Sequence, residues 1–140
     1  MYNKADVRSW LDRAKDDLRF AEAGIKDGFY SQPCFLAQQA AEKAIKALIY
    51  SKEPNLDLKQ IKELKTHNLP FLLKKVKPRG TETNEEITIS VKTLNKYYLP
   101  TRYPDIPDVI GSYTKEIASD ALEKAREIVR FVEENLKSQK

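Results

Sequence analysis

The segment EEITISVKTL, Glu85 to Leu94, decides between an all-helical chain and a mixed one. Ile87, Thr88, Ile89, Val91 and Thr93 are β-branched, a composition that suits a pleated strand. The spacing argues the other way. Ile87, Val91, Leu94 and Tyr98 recur at steps of four, three and four, which places them on one face of a helix and scatters them over both faces of a strand. Thr83-x-x-Glu86 just upstream has the pattern of a capping box, in which two side chains satisfy backbone donors at a helix start. Local period and start signal agree, so the segment is read as a helix.

The same period runs through the rest of the chain. Val7, Trp10, Leu11, Ala14, Leu18, Ala21 and Ile25 form an apolar stripe, with Asn3 or Asp6 as candidate cap and Asp27-Gly28 as the stop. In QPCFLAQQAAEKAIKALIYSKE, Gln32 to Glu53, the stripe is Phe35, Leu36, Ala40, Ile45, Leu48 and Ile49. Beside it runs a row of small residues, Ala37, Ala41 and Ala44, and Pro33 suits a first helical turn. Pro54 and Asn55 break that helix before a possible turn over Leu56 to Leu64. Thr66-His67-Asn68 then reads as a cap region before a short helix, Leu69 to Val76, ended by Pro78 and Gly80. A last helix from Ser112 or Thr114 to Leu136 carries Ile117, Ala121, Ala125, Ile128 and Val132 on one face. No segment sustains the alternation of a strand. The reading is all-α: an up-and-down four-helix bundle with an additional short helix, one domain over residues 1–140.

Composition narrows the function. With 140 residues, 41% hydrophobic and 33% charged, the chain has the balance of a globular domain. No apolar run approaches the ~20 residues of a membrane helix, and MYNKADVRSWLDRAK has charges where a signal peptide needs an apolar stretch; the expected setting is cytoplasmic, away from any membrane. Cys34 is the only cysteine, which rules out an internal disulfide and predicts a small buried helical residue. Four scattered glycines make no phosphate-binding loop. A single histidine, His67, makes no two-histidine metal motif, so neither metal nor cofactor is expected. Asp16-Asp17 and Glu133-Glu134 are helical neighbours pointing about 100° apart, read as solvated faces. The net charge of +4 is uneven. Residues 51–80 hold eight Lys or Arg against three acids, leaving the remainder at −1. Such a surface fits a phosphate backbone or an acidic protein, or simple solvation.

Chemistry concentrates in YYLPTRYPD, Tyr97 to Asp105. Pro100 and Pro104 restrict their own φ and bias Leu99 and Tyr103 towards extended backbone, so the loop is stiff. Arg102 offers a planar fork for phosphate or carboxylate, and Tyr103 a stacking face and a phenol. Arg102 and Asp105 can equally pair with each other as loop architecture. His67 is a candidate general base, or a cap or packing residue at the start of the short helix.

Together Trp10, Ala14, Asp17, Leu18 and Ala21, the segment FLAQQAAEKAIKALI (Phe35 to Ile49), Thr66-His67-Asn68-Leu69 and Tyr98-x-Pro-Thr-Arg-Tyr-Pro-Asp resemble the HEPN domain family of prokaryotes. The resemblance implies an all-α bundle that pairs into a homodimer. Many members are encoded beside a minimal nucleotidyltransferase, in what resembles a toxin–antitoxin pair. Others are metal-independent ribonucleases carrying an arginine followed four to six residues later by a histidine. Here no histidine follows Arg102, so that mechanism lacks its base unless His67, Tyr103 or Asp105 replaces it. The resulting expectation is a non-catalytic HEPN protein that binds a nucleotide, a nucleotidyltransferase partner or both, through Arg102, Tyr103, Asp105 and His67. A ribonuclease toxin with a rearranged site and a purely structural interaction protein are the alternatives. Trp10, Tyr97, Tyr98 and the alanine row exceed the needs of one narrow seam and are assigned to a two-fold interface.

Overall fold

The computed structural model describes residues 4–53, 55–98 and 113–137. Within them the chain forms α1 (Lys4–Lys26), α2 (Ser31–Lys52), α3 (Leu58–Glu63), α4 (Leu69–Val76), a 3-10 turn (Lys77–Arg79), α5 (Glu85–Asn95) and α6 (Lys115–Lys137). No strand occurs among the described residues. EEITISVKTL is helical, as its period requires, but its cap differs from the expected one. The Asn84 side chain accepts from Ile87 N at 2.8 Å, and the helix begins at Glu85 rather than after a Thr83 cap. Shifting the cap by one residue shifts the satisfied donor with it, from the Glu86 N that a Thr83 cap would serve to Ile87 N.

The stretch expected as a turn over Leu56 to Leu64 also differs, since α3 lies within it. Asp57 accepts from Gln60 N while Gln60 reaches back to Asp57 N, a reciprocal cap that stabilises a helix of only six residues. Asp6, a cap candidate, lies within the first turn of α1, and α5 ends at Asn95, short of the Tyr98 counted in its stripe, whereas Gly28, Gly80 and Thr114 act as expected. Gly28 adopts φ +88°, where a side chain would strain the backbone, and lets Phe29 N donate to Gly24 O at 2.8 Å. Gly80 does the same after the 3-10 turn with φ +91°. Thr114 Oγ1 accepts from Ile117 N to start α6. Asn3, Pro54 and Ser112, also named as start or stop residues, lie outside the described residues.

The core explains the order of burial. α2 packs against α1, α4, α5 and α6, so it is enclosed on most sides, and Cys34, Ala37, Ala41, Ala44, Ile45 and Leu48 are fully buried. Facing them are Ala14 and Ala21 from α1, Leu69 and Leu72 from α4, Val91 and Leu94 from α5, and Ile128 and Val132 from α6. Each large aliphatic side chain removed from water contributes roughly 1.5–3 kcal/mol. The alanine row assigned to a second copy is therefore spent inside one chain, where small side chains let neighbouring helices approach α2 closely. Tyr97 is buried with it, and Trp10 and Tyr98 are half-buried. The acidic pairs are likewise not merely solvated. Asp17 meets Lys43 at 2.7 Å and Glu133 meets Lys15 at 2.7 Å, while Asp16 lies on the exposed side with Arg19.

Candidate functional site

α2 carries a polar stripe inside its apolar surroundings. Gln38, Glu42 and Lys46 follow at steps of four, share one face, and are all buried. A buried carboxylate or ammonium is costly unless paired, and these are paired with each other and with the segment before α4. Glu42 Oε2 accepts from Lys46 Nζ at 3.0 Å, and Glu42 Oε1 lies 2.8 Å from His67 Nδ1. A carboxylate can only accept, so the hydrogen between them sits on Nδ1. Lys46 Nζ also stands 5.7 Å from the Trp10 ring centroid, within cation–π range, and Trp10 in turn packs against Tyr50 at 5.7 Å.

His67 is fixed from a second direction. Its ring stacks on Tyr98 with centroids 4.0 Å apart and planes 19° from parallel, and Tyr98 continues to Phe35 at 5.9 Å. Its backbone carbonyl accepts from Gln38 Nε2 at 3.0 Å, and Gln38 Oε1 is held by Gln39. Just beyond, Leu69 N donates to Asn95 Oδ1 at 3.0 Å, which ties the start of α4 to the end of α5 where Tyr98 follows. The helix cap itself is Asn68, which accepts from Phe71 N at 3.1 Å; of the two structural roles read for His67, packing holds and capping passes to its neighbour. Nearly half of the His67 side chain, 48%, is exposed, against 7% for Glu42. The ring thus joins a buried anion to the surface. Among the described residues its side-chain hydrogen bonding runs through Nδ1.

The other predicted site residues, Arg102, Tyr103 and Asp105, lie outside the described residues, as do Pro100 and Pro104 and any pairing of Arg102 with Asp105. Gln38, Glu42 and Lys46 were not singled out in the sequence. Their signal was present in AQQAAEKAIKAL as three polar residues at fourfold spacing along an otherwise alanine-rich helix. An open groove of about 380 Å³ between α5 and α6 is lined by Glu85, Glu86, Asp120, Glu123 and Glu127 with Ile89 and Lys124. None of Gln38, Glu42, Lys46, His67 and Tyr98 lines it. No group of three or more His, Cys, Asp or Glu suited to a metal ion occurs among the described residues.

The family model for the HEPN domain matches residues 7–135, nearly the whole chain. The chain belongs to the HEPN domain family. Its fold is shared by TT1696 from Thermus thermophilus, with a TM-score of 0.78 and 36% identity over 92% of this chain and 97% of that one. ST0689, an archaeal HEPN homologue, gives a TM-score of 0.72 and 28% identity over 93% and 97%. At 22% identity, the HEPN chain is also similar to a Methanocaldococcus jannaschii protein, "Putative toxin MJ1304", over 97% of its own length and 91% of the other's. No helix among the described residues is long and apolar enough to cross a membrane.

Proposed function

We propose that this HEPN protein is a non-catalytic binding module of the cytoplasm, a single domain that takes a nucleotide or RNA strand. We propose further that it acts as a homodimer beside a minimal nucleotidyltransferase, in a pair of toxin–antitoxin type. The observation that carries the reading is the His67–Tyr98 stack, a half-exposed ring held between a buried carboxylate and an aromatic neighbour. Aromatic and imidazole faces are general stacking surfaces for bases. In the sequence Arg102 follows Tyr98 by four residues, and its guanidinium is the group proposed to meet phosphate. The toxin named among the relatives supports the pairing with a partner.

Titration of the purified protein with a fluorescent ribonucleotide tests the reading. Arg102→Ala and His67→Ala are expected to weaken binding at least tenfold while the melting temperature of the Arg102 variant stays within a few degrees. A wild type that binds no nucleotide would end the reading. Dimerisation is checked by solution scattering, where a monomer at micromolar concentration would remove the homodimer.

One observation favours a second reading, the ribonuclease. Glu42 orients His67 as a carboxylate orients the base of a hydrolytic triad. Nε2 would take the proton of an RNA 2′-hydroxyl as that oxygen attacks phosphorus. The bond to the 5′-oxygen breaks, the leaving oxygen gains a proton from water, and Arg102 balances the phosphorane charge. Cleavage in EDTA that disappears in both Arg102→Ala and His67→Ala would establish it in place of the non-catalytic reading.

A further inference from the structure

Glu42 is buried, ionically matched by Lys46, and still spends its second oxygen on His67. A carboxylate placed to balance Lys46 alone would not need that contact. Its effect on the ring is specific: it holds the neutral imidazole as the Nδ1–H tautomer, which leaves a lone pair and no hydrogen on Nε2. The Gln38 bond to the His67 carbonyl fixes its backbone, the Tyr98 stack fixes the ring plane, and the Glu42 contact selects which nitrogen faces inward. In this neutral form, whatever meets the exposed edge of the ring meets an acceptor. A phosphate oxygen has no hydrogen to give it, whereas a hydroxyl does.

We propose that Glu42 is a positioning residue that sets the His67 tautomer, and that the exposed Nε2 accepts a hydrogen bond from a ribose hydroxyl, selecting ribonucleotide over deoxyribonucleotide ligands. This rests on the nucleotide-binding reading and adds its substrate class. On an RNA strand the hydroxyl is the 2′-OH, the group that separates RNA from DNA at any one site. Stacking of a base, which both kinds of strand possess, would give affinity, and the Glu42–His67 pair would give the choice of sugar.

The test uses the chain's single histidine. Nitrogen-15 NMR of the labelled full-length protein in alkaline buffer, where an imidazole is neutral, reads the tautomer of His67 without ligand or assignment. The Nδ1–H form is expected in the wild type. It is expected to give way to the Nε2–H form in the paired variant Glu42→Leu/Lys46→Met, which removes both buried charges together and so keeps the fold. Binding of a short single-stranded RNA and the DNA of the same sequence is then measured on both proteins. The wild type should prefer RNA by roughly two- to tenfold, the usual worth of one hydrogen bond, and the paired variant should bind both alike. An Nε2–H ring in the wild type overturns the proposal whatever binds. An Nδ1–H ring with equal binding of RNA and DNA overturns the hydroxyl assignment and leaves the nucleotide-binding reading standing. Failure of both strands to bind overturns the two together.

Discussion

At the scale of single residues, Glu42 is the side chain with the most consequences. It is the sole counter-charge that the described structure gives to Lys46, and it holds His67 in place. Removing it as Glu42→Ala leaves an ammonium buried beside Trp10, and a loss of about 3–5 kcal/mol in urea unfolding is expected. Lys46→Met in the same chain should restore part of that loss, because the second substitution removes the uncompensated charge the first created. Strict additivity of the two would show that the pair is solvated after all. Glu22 offers a contrasting case at the surface. Its hydrogen bond to Arg126, with the nearby charge of Lys26 second, holds its carboxyl below the usual glutamate value of 4.5. A lowered folded value means that the contribution is present above the ordinary carboxylate range and fades as pH falls through it. Arg126→Gln should raise the Glu22 titration midpoint in a carbon-detected NMR titration; an unmoved midpoint would assign the shift elsewhere. The accompanying change in stability is expected to be small and to shrink with salt, since the pair is exposed.

Among the elements, helix starts are where sequence and structure part by single residues. Asn84→Ala should cost about 1 kcal/mol, the usual worth of an N-cap, while Thr83→Ala should change stability by less than about 0.5 kcal/mol. The reverse ranking in thermal unfolding would reinstate the Thr83 capping box. α3 makes the same lesson visible from the other side. Six residues with an exposed Leu58 offer little apolar period to read, and it is the Asp57–Gln60 reciprocal cap, a purely local signal, that betrays the helix. For α1, α2, α5 and α6, by contrast, apolar spacing located the element, because each must turn a stripe towards a shared core, while α4 was located by its cap region and its stop residues.

Across the whole molecule, the basic segment runs from the end of α2 through α3 and α4 to the 3-10 turn, and His67 sits within it. Lys59, Lys62 and Lys74 are exposed, whereas Lys75 is drawn to Glu63 at 3.6 Å and over the Phe71 ring at 4.8 Å. If an RNA strand reaching His67 crosses this surface, Lys59→Ala/Lys62→Ala should weaken binding uniformly across sequences. The slope of log affinity against log salt should then flatten by about 0.7 for each lysine that met a phosphate. An unchanged slope would mean that the lysines serve solubility and the strand enters from elsewhere. The large exposed apolar residues Phe20 and Phe29 remain available to partners, in place of the alanines that α2 keeps for itself.

The helical class, most element bounds and the absence of a phosphate loop followed from the chain's order alone, because period, caps and glycine positions act over a few residues. The alanine row shows where that reasoning stops: its spacing predicts close helix approach and says nothing about whether the neighbour belongs to the same chain. Only packing answered that, by enclosing α2 between α1, α4, α5 and α6. The site was half legible in the same way. His67 stood out as the single histidine, but its partners Glu42 and Tyr98 lie 25 and 31 residues away, and no local rule couples them. Their meeting depends on long-range burial, which makes a charge on α2 seek a partner and brings the one available imidazole to it.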